Sequence, residues 1–255
     1  MARIFITGSA DGLGLLAAKK LTEQGHQVVL HARHAARATH ALTKLPVAET
    51  VLIADLSSIE ETKKLAAEVN ALGRFDAIIH NAGVYEVSAG RTVDGMPMIF
   101  AVNSLAPYIL TSLIQRPQRL IYLSSGMHLQ GHLNLDELNP DLLRTTRFPS
   151  YSDSKAQVLL LSNAVGRKWP AVYSNAVDPG WVPTKMGGAA APDDLMKGAE
   201  TQVWLATSQD PSALVSARYF HHKKERPFLK ETDDSVLQEK FLALCEAVSD
   251  VPFPA

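Results

Sequence analysis

Cysteine is nearly missing from this chain: Cys245 is the single one in 255 residues. One thiol can neither close an internal disulfide nor assemble a cysteine-based metal site, and no other metal-ligand cluster stands out. Cys245 lies in a helical pattern, where a small buried apolar residue is the expectation. Charge of one sign is lacking too. Lys and Arg number 25 against 26 Asp and Glu, a net charge of −1, with no long block of either sign. Nucleic acid and anionic membrane therefore have no global electrostatic claim on it. No apolar run approaches the ~20 residues that span a bilayer. Met1-Ala2-Arg3-Ile4-Phe5-Ile6 enters a strand pattern at once and leaves no room for a signal peptide. A soluble, cytoplasmic protein is expected.

What is present is a large apolar fraction, 46%, arranged with alternating periods. Short Val/Ile/Leu-rich runs at 3–7, 27–31, 50–54, 75–80, 119–123, 171–176 and 216–220 read as strands. Near-continuous apolar runs suit a parallel sheet covered on both faces. Helical patterns fall between them, at 12–24, 58–72, 97–115, 150–168, 193–208 and 235–249. The first carries Leu13, Ala17 and Leu21 at four-residue spacing and stops at Gly25. The β-α-β-α order predicts an α/β, doubly wound, mostly parallel seven-stranded sheet with right-handed crossovers and helices on both faces. No repeat or linker divides the chain, so a single domain over 1–255 is expected. Loops at about 126–149 and 183–200 would border a substrate.

Thr7-Gly8-Ser9-Ala10-Asp11-Gly12-Leu13-Gly14 joins the first strand to the first helix. Glycine serves where the chain turns sharply and where backbone must approach a pyrophosphate. The helix N-terminus then offers free N–H groups and a partial positive charge to the phosphates. An NAD-binding chain places Asp or Glu near the end of the second strand, where it holds the ribose 2′-hydroxyl. Here no acidic residue occurs between Gly25 and Pro46; Arg33, His34 and Arg37 stand there instead. A guanidinium bonds a 2′-phosphate that a carboxylate would repel. NADP(H) is the expected cofactor, with Arg33 the main contact and a solvated basic loop the plainer alternative. Asp55-Leu56 and Asn81-Ala82-Gly83 follow the third and fourth strands, at the edge where open α/β sheets bind ligands. Asp55 could accept from an adenine amino group or serve the start of the next helix. Asn81-Ala82-Gly83 could pass close to the nicotinamide-side ribose or form an ordinary turn.

Tyr151-Ser152-Asp153-Ser154-Lys155 opens a helix, and positions four apart share a face. A cation ~4 Å away is worth roughly 1–4 kcal/mol to a phenolate, about one to three pKa units. Lys155 could thus make Tyr151 a usable proton donor and acceptor. Ser124-Ser125 ends the fifth strand at the same edge; Ser125 is favoured for holding the substrate oxygen, with capping or a turn left for the other. Asn103 precedes Pro107 within one helical pattern. Pro107 has no N–H for the Asn103 carbonyl, so a kink is expected there, with a free acceptor for a water that relays protons towards Lys155.

Taken together, these residues resemble the short-chain dehydrogenase/reductase family, from Thr7 to about Phe220. The resemblance implies NAD(P)(H) binding and an Asn-Ser-Tyr-Lys set at Asn103, Ser125, Tyr151 and Lys155. It also implies a nicotinamide-amide contact by the Asp178-Pro179-Gly180-Trp181-Val182-Pro183-Thr184 segment, through backbone near Val182 and the Thr184 hydroxyl. Ser124-Ser125-Gly126-Met127-His128, the insertion before Tyr151, Tyr151 to Gln157, and Arg218-Tyr219-Phe220 look like the retinol-dehydrogenase-like branch. That branch acts on retinoids, steroids and other lipophilic carbonyls. His80 stands where the family commonly has Asn. The expected substrate is a small carbonyl or alcohol, walled by Tyr85, Met127, His128, Trp181 and Met186. A non-catalytic NADP(H)-sensing regulator on the same scaffold is the rival, although a sensor needs no proton donor. An epimerase or dehydratase would usually carry a larger substrate domain. The family often forms homo-dimers or tetramers through helices flanking the sheet, here 97–115 and 150–168. Apolar residues on those helices would equally serve a core.

Overall fold

Successive residues of a strand face opposite sides of its sheet, and here both sides are apolar. The computed structural model describes residues 1–85, 90–135, 139–145 and 149–255. It has β1 (Arg3–Ile6), β2 (Gln27–Ala32), β3 (Thr50–Ile53), β4 (Ala77–His80), β5 (Arg119–Leu123), β6 (Tyr173–Asp178), β7 (Arg218–His221) and β8 (Lys224–Glu225). They form one eight-stranded sheet in the order β3-β2-β1-β4-β5-β6-β7-β8. Pairs from β3 through β7 are parallel, and β8 pairs antiparallel with β7. The eighth strand adds to the seven expected. It is two charged residues long, reached through His222 and Lys223 in left-handed conformations, and carries no apolar period to read.

The helices are α1 (Gly12–Glu23), α2 (Ala35–Lys44), α3 (Ile59–Ala71), α4 (Met98–Phe100), α5 (Ala106–Leu113), α6 (Pro140–Thr145), α7 (Tyr151–Lys168), α8 (Leu195–Thr207) and α9 (Ser235–Ser249). Ile4 and Ile6 pack with α1, α2 and α8 on one face, whereas Phe5 between them packs with α3, α5, α7 and α9 on the other. The same alternation holds for Ile121 and Leu123 against Leu120 and Tyr122. Each fully buried Leu or Ile contributes about 1.5–3 kcal/mol to this two-sided core.

Four differences from the sequence reading have physical causes. α2 occupies 35–44, where no helix is expected, because its buried face is only Ala38 and Ala41 amid cations and histidines. β6 begins at Tyr173 and runs to Asp178, two residues beyond the expected end, and this sets Asp178 at the sheet edge. α8 starts at Leu195 with Asp194 as its cap, so the second loop ends there rather than near 200. The first loop contains a 3₁₀ turn (Gly126–Gln130) and α6, and its residues 136–138 and 146–148 lie outside the described residues. The helices proposed as a subunit interface are largely used within the chain. Most of α7 is buried, and α9 packs on both α5 and α7. Beyond α9, Phe253 stacks on Trp169, and the Tyr108 hydroxyl donates to the Val251 carbonyl. Cys245 is buried within α9, where desolvation raises its thiol pKa well above the usual range. Among the described residues no helix is long and apolar enough to cross a membrane.

His80 turns away from the sheet edge into the core. It is fully buried against Tyr122, with ring centroids 4.8 Å apart, and its Nδ1 has no partner among the described residues. Desolvation pushes its pKa from 6.5 down to about 3. A buried neutral histidine favours the folded state fully above pH 6.5, the unfolded value, and loses that contribution as pH falls towards the folded value. From about pH 7 to about pH 4.5 the loss from this one group is about 2.5 kcal/mol. Urea unfolding of His80→Asn should therefore show a pH dependence weaker by about that amount. Equal acid sensitivity in the variant would contradict the assignment.

Candidate functional site

Three loops meet at the C-terminal edge of β1, β4 and β6. The first is the glycine turn. Gly8 has φ 61° and Gly12 φ 54°, conformations that L side chains rarely adopt. A Cβ on Gly14 would sit 2.5 Å from Asn81 Nδ2 and 2.6 Å from the Gly8 carbonyl oxygen. Asn81 Nδ2 donates to the carbonyls of Thr7 and Gly8 at 3.0 Å, so Gly14 leaves the space in which the turn is tied to β4. α1 begins there with Asp11 at its N-cap and no side-chain cap. Its first N–H groups face the turn without a protein acceptor from the cap residue, the arrangement a pyrophosphate would complete. Leu13 flanks this turn, half-buried. Ser9 is turned inward: its hydroxyl donates to Ile6 and accepts from His31 N–H, and its own N–H donates to His31.

His31, on β2, was not singled out by the sequence, yet it reaches this turn. Its Nδ1 accepts from Gly8 N–H at 2.9 Å, and its Nε2 lies 3.0 Å from the Ala54 carbonyl. Burial pushes its pKa down to about 4, which keeps the ring neutral and Nδ1 an acceptor. Arg33 is exposed immediately after β2. Arg37 bonds Asp11 at 2.7 Å, and Lys185 reaches the same carboxylate at 2.9 Å. These two cations pull the Asp11 pKa down against the opposing cost of its burial. The only sequence hint of Lys185 is a cation next to Thr184. Asp55 accepts from Ser57 N–H in a turn ahead of α3, and Ser58 is the helix cap. Leu56 belongs to the core.

The second loop, Asn81-Ala82-Gly83, runs from β4 past the catalytic candidates. An added Cβ on Gly83 would lie 3.4 Å from Asn103 Oδ1 and 3.5 Å from Lys155 Nζ, which places both beside this loop. Asn103 sits in a π-helical segment, Ala101–Leu105, between α4 and α5. The kink expected from Pro107 takes this form, with Ala106 N–H donating to the Ala101 carbonyl. The Asn103 side chain bonds both backbone groups of Val84 and donates to the Ser154 hydroxyl at 3.0 Å.

Tyr151 is held at the first position of α7 by a reciprocal cap. Ser150 Oγ accepts from Asp153 N–H, and Asp153 accepts from Ser150 N–H. Lys155 lies one turn on, its Nζ donating to the Leu123 carbonyl at 2.8 Å and standing 5.3 Å from the Tyr151 ring centroid. Burial pushes Lys155 down to about 8, partly opposed by Asp178. Burial also pushes Tyr151 up to about 12; the Ser125 hydroxyl opposes this, whereas Asp178 and Tyr85 add to it. Ser124 is buried and donates to the Lys155 carbonyl, whereas half-buried Ser125 lies by the phenol and is itself the residue that caps the following turn, its hydroxyl accepting from Met127 N–H at 3.3 Å.

The third loop follows β6. Gly180 N–H donates to Asp178 Oδ1 at 2.9 Å, and Thr184 N–H donates to the carbonyl of buried Val182 at 2.8 Å. Half-buried Pro179 stands between Asp178 and Gly180. A Cβ on Gly12 would lie 3.6 Å from Thr184 Cγ2, so this loop closes over the glycine turn. Tyr85 packs edge-on to Tyr151 at 4.8 Å, and Trp181 and Met186 are exposed at the rim, with Met127 half-buried. His128 is not a wall residue. It is fully buried, with Nδ1 against the Ser125 carbonyl and Nε2 accepting from Leu229 N–H.

The model of the short chain dehydrogenase family matches residues 2–120. The short-chain dehydrogenase chyC of Penicillium rubens is 43% identical, with the whole of both chains covered. Human retinol dehydrogenase 14 is 28% identical over 96% of this chain and 85% of that protein. A blue fluorescent protein from a metagenomic library, solved in complex with NADPH, superposes with a TM-score of 0.70 at 19% identity. The aligned regions cover 86% of this chain and 95% of that one. This likeness is one of fold. With the glycine turn, the parallel sheet and a full-length relative at 43% identity, this chain belongs to the short-chain dehydrogenase/reductase family and is an oxidoreductase on an NAD(P)-binding fold.

Proposed function

We propose that this protein moves a hydride between NADP(H) and a lipophilic carbonyl or alcohol, with Tyr151 as general acid and base. The reading rests on one observation: Asn103, Ser125, Tyr151 and Lys155 converge at the sheet edge beside the loop that ties down the glycine turn. Bound in that cradle, the nicotinamide supplies or accepts the hydride. Tyr151 Oη gives its proton to the developing alkoxide in reduction and takes it back in oxidation. Ser125 Oγ holds the same oxygen, and Lys155 serves the nicotinamide ribose and the charge of the phenolate. Asn103 fixes the loop through Val84 and supplies the backbone acceptor for the water that returns the proton. Gly8, Gly12, Leu13 and Gly14 cradle the pyrophosphate, while Asp55 and Leu56 border the adenine. Pro179, Gly180, Val182 and Thr184 border the nicotinamide amide. The exposed apolar rim of Tyr85, Trp181 and Met186 suits a lipophilic substrate, as does the likeness to a retinol dehydrogenase. Following NADPH absorbance over a panel of aldehydes, ketones and alcohols tests the reaction. No oxidation or reduction of the cofactor by any member would remove the proposal.

NADP(H) preference is carried by Arg33, which is exposed past β2 and uncontested by any acidic residue from 26 to 45. Arg37 is already engaged by Asp11 and serves as a second, neighbouring cation. Arg33→Asp should weaken NADPH binding by about 10- to 100-fold, the worth of a charge-assisted bond plus the repulsion that replaces it. NADH binding should improve or hold. Fluorescence titration with both cofactors checks this, and unchanged NADPH affinity would refute it.

A further inference from the structure

Asp178 is the acidic residue whose charge bears on both Tyr151 and Lys155, and proton transfer has no use for it. It ends β6 with its side chain only 17% exposed. Oδ1 is committed to Gly180 N–H. Oδ2 closes no full hydrogen bond to the described residues: it would lie 3.2 Å from a Cβ on Gly126, next to Ser125, and His221 Nδ1 is 3.7 Å away. His221 Nδ1 is instead 3.2 Å from the Asp178 backbone carbonyl. Beside this carboxylate, on neighbouring β7, stands Tyr219. It is 3% exposed, its ring packs edge-on to His128 at 4.6 Å, and its buried hydroxyl is directed at Asp178 without closing a full hydrogen bond to any of the described residues. A buried hydroxyl left unpaired costs stability and is rare in native proteins.

We propose that Asp178 Oδ2 and the Tyr219 hydroxyl form an acceptor–donor pair that holds a hydroxyl group of the substrate beside the carbon that reacts. The substrates are then hydroxylated carbonyl compounds, with diols as their reduced partners. The inference deepens the proposed function and rests on it for the position of the reacting carbon. Chemistry selects the hydroxyl over other groups. A hydroxyl both donates to Oδ2 and accepts from Tyr219, so it satisfies both protein atoms at once. An ammonium has no lone pair for Tyr219 and would sit near Lys155. A carboxylate would be repelled by Asp178. An ether or a plain alkyl group leaves the carboxylate without a donor, and a site built to bond a hydroxyl discriminates strongly against analogues that lack one.

The test uses the full chain saturated with NADP⁺ and the matched pair α-hydroxyacetophenone and α-methoxyacetophenone. Calorimetry gives their dissociation constants, and NADPH absorbance gives kcat/KM for their reduction. The wild type should bind the hydroxy ketone at least about tenfold more tightly than the ether, as expected for one hydrogen bond to a charged group. Asp178→Asn keeps an oxygen for Gly180 and should bring the two affinities to within about twofold; Tyr219→Phe should narrow the gap at least about threefold. Tyr219→Phe should also keep or raise the thermal midpoint, since it removes an unpaired polar group. Equal binding of the two ketones by the wild type, binding of neither, or a gap that survives in both variants overturns the inference. So does a lower midpoint in Tyr219→Phe with an unchanged gap, which marks the hydroxyl as structural. Failure of the enzyme reading looks different: hydroxyl-selective binding would persist while neither ketone is reduced.

Discussion

Tyr151→Phe lowers kcat for carbonyl reduction by roughly a thousandfold or more, at the upper part of what a positioned general acid contributes, and leaves NADPH binding unchanged. About 4 kcal/mol of transition-state stabilisation leaves with one oxygen atom. The substitution is narrow because the ring keeps its edge-on contact with Tyr85 and its place at the first position of α7, where the Ser150–Asp153 cap holds the backbone. Only the proton donor facing Ser125 is lost. Stopped-flow turnover separates the step from binding, and NADPH fluorescence titration gives the cofactor affinity of the same preparation. Turnover retained within about tenfold would mean that the proton comes from another group, and the general-acid role would have to be moved.

The direction of the pKa shifts adds to this argument. With burial pushing Tyr151 up to about 12, the phenol holds its proton throughout the neutral range. That is the form needed to protonate an alkoxide. The opposite direction requires a phenolate, which the desolvated pocket and the Asp178 charge both disfavour. Burial brings Lys155 down as well, to about 8, and its ammonium rests on the Leu123 carbonyl. The four-residue spacing in the sequence identified Tyr151 and Lys155 as neighbours but carried no sign of how deeply they are buried. Spacing reports distance along a helix, but desolvation depends on how deeply the helix is buried.

The same division runs through the rest of the molecule. Strand runs such as 119–123 and the span of α9 were legible because apolar period is a local property. α2 was hidden because two buried alanines make too weak a stripe. Ser124 and Ser125 could not be told apart until the strand end was seen to send the first inward and the second towards the phenol. His31, Asp178 and Lys185 act at the site through contacts across 22 or more positions with Gly8, Tyr151 and Asp11, which no short window contains. His128 looked like a pocket wall from its place after Ser125, yet the 3₁₀ turn rolls it under the sheet edge, against Tyr219.

Gly14→Ala should do to the cofactor what Tyr151→Phe does to the chemistry. The added methyl would meet Asn81 Nδ2 at 2.5 Å, the Gly8 carbonyl oxygen at 2.6 Å and Ser9 Cα at 2.9 Å. Two of these three atoms are backbone and cannot swing aside. Asn81 can move, but only by giving up its bonds to the Thr7 and Gly8 carbonyls. Overpacking of this kind costs about 1–3 kcal/mol, and the two lost bonds add about 1 kcal/mol each. The turn must open whichever contact yields, and its N–H groups then no longer converge on one pyrophosphate. Losing two charge-assisted bonds weakens NADPH binding on the order of 100-fold. Thermal unfolding measured without and with NADPH separates the two effects: the bare variant melts lower, and the stabilisation that the cofactor confers on the wild type largely disappears. A variant that melts lower but keeps its full cofactor-induced shift would place the dinucleotide elsewhere than on this turn.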